Sequence, residues 1–345
     1  MELSNLMELL LLVPLVAAVV MAIIPSKSAP VAVYEALHTV SVVVVCVLGV
    51  FLALNVMATN DNIFALSKWF NMDSLAAIFV ILIGVIGCMT GLFSIPYIRH
   101  DIEAGNLDKG QTKIYYVFFS LFVFTMLMAA LSNNIIMMWA SVEATTLSTV
   151  FLVAAYSKKK LSLEAGWKYI IVCTAGVAFG LYATVLTFAD ANTVLSNSTD
   201  AVLWTSILPV AHQFDPMLMS IAFVFAVIGF GTKAGLFPMH TWLPDAHSEA
   251  PSPVSALLSG VLLKCALLVI IRFYVLTCQA VGPEFPQLVM LIIGALSVVV
   301  AAVSMYAQND LKRKLAYSSC ENVGFVALCL GFGGPIGVVA ALLHC

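Results

Sequence analysis

The chain has 345 residues, of which 62% are hydrophobic and 10% are charged, and its net charge is −3. A water-soluble domain carries about 25% charged residues, so this composition excludes an ordinary soluble protein. The small net charge gives no indication of a nucleic-acid partner, and we expect none. Apolar runs of about 20 residues recur from end to end, which predicts an all-α polytopic membrane protein embedded in a lipid bilayer.

The apolar runs predict ten membrane-spanning helices in one membrane domain, and an eleventh span begins after Pro335. The first run has no basic region before it and no small-residue cleavage site, so we expect a retained helix rather than a signal peptide. The polar and aromatic segment 59–71 is too short to cross a bilayer and is either an external interfacial element, such as a hairpin, or a plain connector. The predicted spans are residues 6–24, 33–56, 74–95, 115–131, 135–155, 165–189, 217–241, 254–277, 288–306 and 315–331.

Basic residues are distributed unevenly between the predicted loops. The loops after the odd-numbered spans contain ten of them, whereas Lys68 alone lies on the opposite side. Because cytoplasmic loops are enriched in Lys and Arg, we predict a multi-pass protein of the inner (cytoplasmic) membrane with its N-terminus outside. The ten residues are Lys27, Arg99, Lys109, Lys113, Lys158, Lys159, Lys160, Lys312, Arg313 and Lys314.

The eight cysteines are scattered singly, mostly within apolar runs, and none forms a Cys-x-x-Cys pair. This spacing argues against an iron–sulfur or zinc site and is typical of small buried side chains. The sequence also contains no nucleophile elbow, phosphate-binding loop or dinucleotide-binding fingerprint. We therefore expect neither a cofactor nor a catalytic centre in this chain, which favours transport over bond-making chemistry.

Four basic side chains lie within predicted spans, at Lys168, Lys233, Lys264 and Arg272, and the fifth span carries the acid Glu143. A charge at the bilayer centre costs about 2.5–3.5 kcal/mol on insertion scales and is tolerated mainly where it moves ions or protons. Glu143, near the middle of the fifth span, would be neutralised or find a cationic partner, and either state suits proton exchange. The alternative for Glu143 is a structural ion pair that holds two helices together.

The seventh span carries Lys233 beside a predicted helix break. Gly231, Gly235 and Pro238 crowd around this lysine, and proline removes a backbone donor and disrupts a helix. Broken helices at membrane depth usually line polar cavities and ion paths, so we expect kinked or non-helical backbone with polar groups or water nearby. A desolvated lysine can load and release a proton, and His240 either extends this relay or is a satisfied core residue.

The remaining polar residues of this region allow more than one role. Lys264 lies near the centre of the eighth span, too deep to reach the surface easily, so we interpret it as a relay residue. Arg272 lies about 12 Å nearer one end of that span and is interpreted as structural, with a charge that extends to the interface. Lys168 opens the sixth span, where its position alone favours extension to the cytoplasmic surface. The polar loop after the seventh span contains Asp245 and His247, which either supply protons to the buried lysines or are simply solvated.

Three separated blocks of the sequence, at residues 138–146, 233–274 and 310–325, occur in the order found in a known family. The first reads MWASVEATT, the second begins KAGLFPMHTWLPDAHSEAPSPVSA, and the third reads DLKRKLAYSSCENVGF. They closely resemble the antiporter-like, proton-translocating membrane subunits of respiratory complex I, membrane-bound hydrogenases and multisubunit cation/proton antiporters. Within this family the blocks are most similar to the hydrogenase-4 component F branch of formate hydrogenlyase-type complexes, and Asn322 stands where complex I relatives often have His.

The resemblance implies two inverted five-helix units, each with a broken helix and a central lysine. It would divide the chain into helices 1–3 at residues 1–112, a first antiporter-like unit of helices 4–8 at residues 113–278, and a second unit, helices 9–11, at residues 279–345. The sequence stops within the eleventh span, so we expect this second unit to be incomplete, either because the chain is truncated or because another polypeptide supplies the rest. The resemblance makes Glu143 the interfacial acid, Lys233 the broken-helix proton carrier and Lys264 the bridging lysine. It also matches Lys168 to a family lysine and His344 to the start of a family helix that is rich in His and Lys.

We therefore interpret the chain as a proton-translocating membrane subunit of an energy-converting hydrogenase, formate hydrogenlyase-type or complex I-like oxidoreductase. The resemblance implies nickel–iron and iron–sulfur centres in partner subunits, other membrane subunits beside this one, and a soluble hydrogenase or electron-transfer arm reached through them. The alternatives are a subunit of a multisubunit sodium/proton antiporter and a purely structural membrane anchor. Sodium dependence of transport would separate the oxidoreductase subunit from the antiporter subunit. Tolerance of alanine or methionine at the buried charges would favour the membrane anchor.

Overall fold

The structure is a computed structural model that describes residues 2–26, 29–156 and 159–345. Two of the ten basic loop residues, Lys27 and Lys158, lie outside the described residues. The elements in chain order are α1 (Leu3–Ile23), α2 (Val31–Thr59), β1 (Ile63–Ala65), β2 (Phe70–Met72), α3 (Ser74–Glu103), α4 (Lys109–Leu131), α5 (Ile135–Val153), α6 (Lys160–Val194), α7 (Trp204–Ile207), α8 (Pro216–Ala234), α9 (Trp242–Glu249), α10 (Ser252–Leu257), α11 (Leu263–Val281), α12 (Glu284–Tyr306), α13 (Leu311–Phe332) and α14 (Gly334–His344).

Within the described ranges, ten helical segments are long and apolar enough to cross a membrane. They coincide with the ten predicted spans, so the prediction of an all-α polytopic membrane fold is confirmed. Two of the segments are composite, because Pro216–Glu249 contains α8 and α9, and Ser252–Val281 contains α10 and α11. The predicted eleventh span corresponds to α14, an apolar helix of 11 residues.

Aspartate side chains mark the starts of four of the long helices. Asp73, Asp108, Asp215 and Asp310 precede α3, α4, α8 and α13, and each carboxylate accepts a hydrogen bond from a backbone N–H of the first turn. At α4 the side chain of Gln111 also accepts from the Asp108 N–H, which completes a capping box. These bonds satisfy N–H groups that have no partner inside a helix. The apolar helices therefore begin at polar residues outside the apolar runs.

The connection between α2 and α3 contains an antiparallel hairpin, in which β1 pairs with β2. Its turn is made by Leu66, Ser67 and Lys68, which all have positive φ angles. Of the two sequence interpretations of segment 59–71, the hairpin rather than the plain connector is the one that the structure shows.

The chain forms two compact units. Unit 1 consists of Met1–Ser132, Ala144–Ile170 and Glu249–Val261. Unit 2 consists of Asn133–Glu143, Ile171–Ser248 and Leu262–Cys345. The predicted division at residues 1–112, 113–278 and 279–345 rests on the family resemblance and remains a prediction.

Hydrogen bonds between polar side chains join several elements of unit 1. Glu35 accepts hydrogen bonds from Nε and Nη2 of Arg99 at 2.8 and 2.5 Å, which joins α2 to α3. The sequence places Arg99 in a loop, but α3 continues to Glu103 and includes it. Tyr156 donates a hydrogen bond to Asp101 at 2.5 Å, and burial together with this bond raises the pKa of Tyr156.

Unit 2 has close packing between α12 and α13, where a Cβ added at Gly294 would lie only 2.5 Å from Leu328 N. Small residues permit helices to approach in this way inside a membrane. Helix α11 is buried along most of its length, and its buried residues include Lys264 and Arg272. Unit 2 therefore buries these charged side chains within the protein, where they avoid contact with lipid hydrocarbon.

Candidate functional site

The seventh span is interrupted directly after Lys233. Helix α8 ends at Ala234, and Gly235 takes the left-handed conformation with φ of +83°, as is common after a helix C-terminus. The Phe237–Pro238 peptide bond is cis. A short 3-10 turn at Met239–Thr241 then leads into α9. The predicted broken helix near Lys233 is confirmed, and Gly235 and Pro238 lie in the break itself.

The break borders an enclosed space of about 190 Å³ within unit 2. The lining side chains are mainly apolar: Val227, Ile228, Gly231, Leu236, Phe237, Pro238, Met239 and Ile293. A polar contact lies at its edge, where Ser297 Oγ accepts a hydrogen bond from the Phe237 N–H at 2.9 Å. The lining of this space is thus less polar than the sequence suggests.

Lys233 is fully buried in the last turn of α8. Its Nζ lies 5.9 Å from the centre of the Trp242 ring, within the range of a cation–π interaction. Trp242 is fixed across the break, because its indole N–H donates to the Thr232 carbonyl at 2.8 Å. A helix C-terminus carries partial negative charge, which also favours a cation at this position. These contacts offset part of the cost of burying an ammonium group, which desolvation otherwise disfavours.

Glu143 lies on α5 and is half-buried. Its Oε1 accepts a hydrogen bond from Thr174 at 2.9 Å, and its Oε2 is buried without a hydrogen-bond partner in the described part of the chain. Lys233 interacts electrostatically with Glu143, and the thiol of Cys173, which precedes Thr174 on α6, lies near both. The carboxylate of Glu143 and the ammonium group of Lys233 are thus close enough for the charge of one to affect the other.

Lys264 occupies the first turn of α11, immediately after a π-helical turn at Leu258–Leu262. Its exposed fraction is 6%, and it interacts electrostatically with Cys345. His344, beside Cys345, lies 3.2 Å from Asn322 through Nε2 and Oδ1. Single π turns within helices occur frequently at functional sites. The second buried lysine therefore also lies beside an irregular stretch of helix.

The segment after the break is helical and largely buried, so the prediction of a polar loop at Asp245 and His247 is wrong. These residues lie in α9, where Pro244 sits in the first turn and needs no N–H partner. Asp245 forms an ion pair with Arg313 at 2.9 Å, and His247 is buried and interacts electrostatically with Lys312. The ion pair with Arg313 of α13 satisfies the Asp245 carboxylate, whereas Lys312 repels a positive charge on His247.

His240 lies in the 3-10 turn and is 8% exposed. Its ring centre is 6.2 Å from that of Tyr317, and its Nδ1 is buried without a hydrogen-bond partner in the described ranges. Tyr317 in turn interacts electrostatically with Asp245 and Arg313. His240 therefore lies between the break and the charged cluster of α9 and α13.

The two other basic residues singled out from the sequence have different surroundings. Arg272 is 3% exposed and packs its guanidinium 5.4 Å from the Trp204 ring centre, so its charge contacts an aromatic ring instead of extending into water. Lys168, in unit 1, forms an ion pair with Glu164 one turn earlier at 2.8 Å, and half of its side chain is exposed.

Four contributors to the site were missed by the sequence analysis, at Cys173, Thr174, Trp242 and Arg313. Arg313 is the one of these four that the sequence could most easily have predicted. Its basic cluster near the end of the chain is complementary in charge to an acidic residue in the middle. Among the described residues, no three His, Cys, Asp or Glu side chains come together in a group that could hold a metal ion.

These features define the class of polytopic membrane proteins whose interrupted membrane-spanning helices carry buried charges. The chain belongs to the NADH:quinone oxidoreductase/Mrp antiporter transmembrane family, whose profile matches residues 132–345. That region contains Glu143, Lys233 and Lys264.

The chain is similar to a hydrogenase-4 component F homolog of Methylacidiphilum infernorum, with 42% identity over 279 residues. This match covers 80% of the chain but only 58% of the relative's length. The membrane-bound sulfane sulfur reductase, an archaeal respiratory membrane complex, contains a similar fold, with a TM-score of 0.84 and 22% identity over 99% of this chain and 68% of that one. The Mrp complex of Dietzia sp. gives a TM-score of 0.76 and 22% identity over 98% of this chain and 35% of that one.

Proposed function

We propose that the chain is a proton-translocating membrane subunit of an energy-converting hydrogenase, formate hydrogenlyase-type or complex I-like oxidoreductase. The observation that carries this proposal is the fully buried Lys233, which ends a helix at a break and interacts electrostatically with Glu143. A buried lysine is costly in a membrane and is kept chiefly where it moves charge. The similarity to a hydrogenase-4 component F homolog supports the hydrogenase branch.

Glu143, Lys233 and Lys264 are the groups that hold and pass the proton in this proposal, with His240, His344 and Lys168 as further relay residues. Charges interact strongly in a low-dielectric interior, so a proton that arrives at Glu143 changes the electrostatic energy of Lys233. That change couples the two residues without direct contact. We call Glu143, Lys233 and Lys264 the proton row. Asp245 and His247 connect the proton row to the charged residues on α13.

The coupled chemistry lies outside this chain in our proposal. Nickel–iron and iron–sulfur centres in partner subunits would supply electron transfer, and other membrane subunits would link this one to a soluble arm. We place the protein in the inner membrane with its N-terminus outside, because the basic residues concentrate in the loops after odd-numbered spans.

A second candidate is a subunit of a multisubunit sodium/proton antiporter, which the likeness to the Mrp complex favours. The whole complex, purified through a tag on this chain and reconstituted in vesicles, distinguishes the two. Nickel–iron and iron–sulfur subunits, together with proton uptake that needs no sodium, support the first candidate. Sodium-dependent proton exchange without a redox partner supports the second.

The structural-anchor alternative is tested on α11, which carries two buried positive charges. Lys264→Met removes the proposed relay group, and Arg272→Met removes a charge that packs on Trp204. We expect Lys264→Met to lose translocation in the assembled complex while Arg272→Met retains it. Equal retention by both variants would favour a structural anchor.

A further inference from the structure

Unit 1 contains a cluster of buried polar side chains that the proposed proton row does not use. His38 on α2 and Tyr116 on α4 are both fully buried, and their ring centres are 5.0 Å apart. Ser120 lies one helical turn after Tyr116, on the same face of α4, and is 1% exposed. Apolar neighbours surround the cluster, including Phe119, whose ring meets His38 edge-on at 4.8 Å.

Each of these three residues has a polar atom that lacks a hydrogen-bond partner within the described residues. The atoms are His38 Nδ1, the Tyr116 hydroxyl and Ser120 Oγ. An unsatisfied buried polar group typically costs about 1–3 kcal/mol, so such groups rarely remain unpaired. Three of them in one region of a helix bundle indicate a ligand that offers several hydrogen bonds at once.

The tautomer of His38 determines which hydrogen bonds that ligand must donate or accept. His38 Nε2 lies 3.2 Å from the Gly91 carbonyl oxygen, which can only accept, so Nε2 carries the hydrogen. In the neutral ring Nδ1 is then an acceptor and needs a donor. The hydroxyls of Tyr116 and Ser120 can each donate and accept. Water supplies both roles that these groups need, because it can donate to Nδ1 and can donate to or accept from each hydroxyl.

A charged pair that reaches the protein surface lies near this cluster. Glu35 lies one turn before His38 on α2 and is held by Arg99, whose side chain is 60% exposed. Tyr116 interacts electrostatically with both Glu35 and Arg99. The charged pair therefore borders the buried cluster, and its arginine contacts solvent.

We propose that His38, Tyr116 and Ser120 bind ordered water between α2 and α4, and that this water exchanges with solvent past the Glu35–Arg99 pair. Unit 1 then holds a hydrated site of its own, at which a proton can reach His38 Nδ1 from the aqueous surface. The site is independent of the Glu143–Lys233 row and does not rest on the function proposed above.

The test is water-edited solid-state NMR of the full chain in lipid nanodiscs, with ¹⁵N-labelled histidine. The chain has six histidines, and a His38→Gln variant identifies the His38 signals by their loss. We expect magnetisation transfer from water to His38 Nδ1, and loss of that transfer after exchange into D₂O. Absence of transfer in the unmodified chain would overturn the proposal, and a signal that persists in D₂O would overturn the exchange with solvent.

Variants then test which groups hold the water. Tyr116→Phe keeps the ring and removes the hydroxyl, and Ser120→Ala serves where Tyr116→Phe fails to fold. Both are expected to diminish the transfer to His38. The matched control is Tyr115→Phe, the neighbouring tyrosine, whose hydroxyl bonds Ser94 at 2.8 Å instead. Transfer that is unchanged in Tyr116→Phe and Ser120→Ala would contradict the assignment of these residues.

Discussion

Two of the acid–base pairs that cross between helices in the described part of this protein are built differently. Glu35 and Arg99 in unit 1 meet through two direct hydrogen bonds, and the arginine side chain is largely exposed. Glu143 and Lys233 in unit 2 interact electrostatically, with Glu143 bonded to Thr174 and Lys233 fully buried at a helix end.

The difference teaches what each pair can do. Arginine stays protonated in proteins, and a two-point bond with a carboxylate fixes both partners. The unit 1 pair is therefore suited to hold α2 against α3. Lysine can lose its proton when it is desolvated, and a carboxylate oxygen without a protein donor is open to a transferable proton. The unit 2 pair is suited to exchange.

The largest expected effect comes from Lys233→Met, which removes the buried charge of the exchanging pair. We expect proton translocation by the assembled complex to fall by about 100-fold or more, the range seen when a proton-transfer group is lost. Vesicle pH-indicator assays measure this, with the exposed Lys314→Met as the control for loss of a lysine. If an assembled Lys233→Met complex translocated protons at the wild-type rate, the unit 2 pair would have no role in proton exchange that distinguishes it from the unit 1 pair.

Glu143→Gln preserves the shape of the acid and removes its charge. We expect translocation to fall by about tenfold, because the electrostatic coupling to Lys233 is lost while the lysine itself remains. The comparison is sharpened by Glu35→Gln, measured in the same vesicles, which should leave translocation near the wild-type rate. A larger loss in Glu35→Gln than in Glu143→Gln would reverse the roles assigned here.

Gly235→Ala tests whether the backbone beside Lys233 depends on glycine. The left-handed φ costs an alanine about 1–2 kcal/mol, and its Cβ would lie 2.7 Å from Leu243 Cδ1. Gly105→Ala is the matched control, because Gly105 has φ of +73° and no atom within 4 Å of an added Cβ. We expect the midpoint of thermal unfolding in detergent to fall further for Gly235→Ala. Equal shifts would mean that the collision with Leu243 is relieved without cost.

The smallest effect should come from Arg99→Lys. The substitution keeps the charge and loses the two-point geometry with Glu35, and the exposed position screens what remains. We expect a slight decrease in the thermal midpoint that shrinks further at high salt. A loss of translocation in this variant would assign the unit 1 pair a role in exchange.

The sequence predicts the helices well because length and apolarity alone decide whether a segment spans a bilayer. The break at Gly235 and Pro238 was likewise predictable, because both residues act on the local backbone. The contact of Thr174 with Glu143 was not, since the lateral packing of helices leaves no local pattern. Helix α9 was misread as a loop, because Asp245 and His247 look solvated until Arg313 and Lys312, over sixty residues later, are placed beside them.

Two hydrogen bonds hold the broken segment in place. The indole of Trp242 donates to the Thr232 carbonyl, and the hydroxyl of Ser297 accepts from the Phe237 N–H. These two hydrogen bonds restrain hinge motion at the break. Hinge motions of helices take microseconds to milliseconds, whereas side-chain rotations are faster by orders of magnitude. We therefore expect charge at Lys233 to move chiefly by rotation of its flexible stem, on the faster of these timescales.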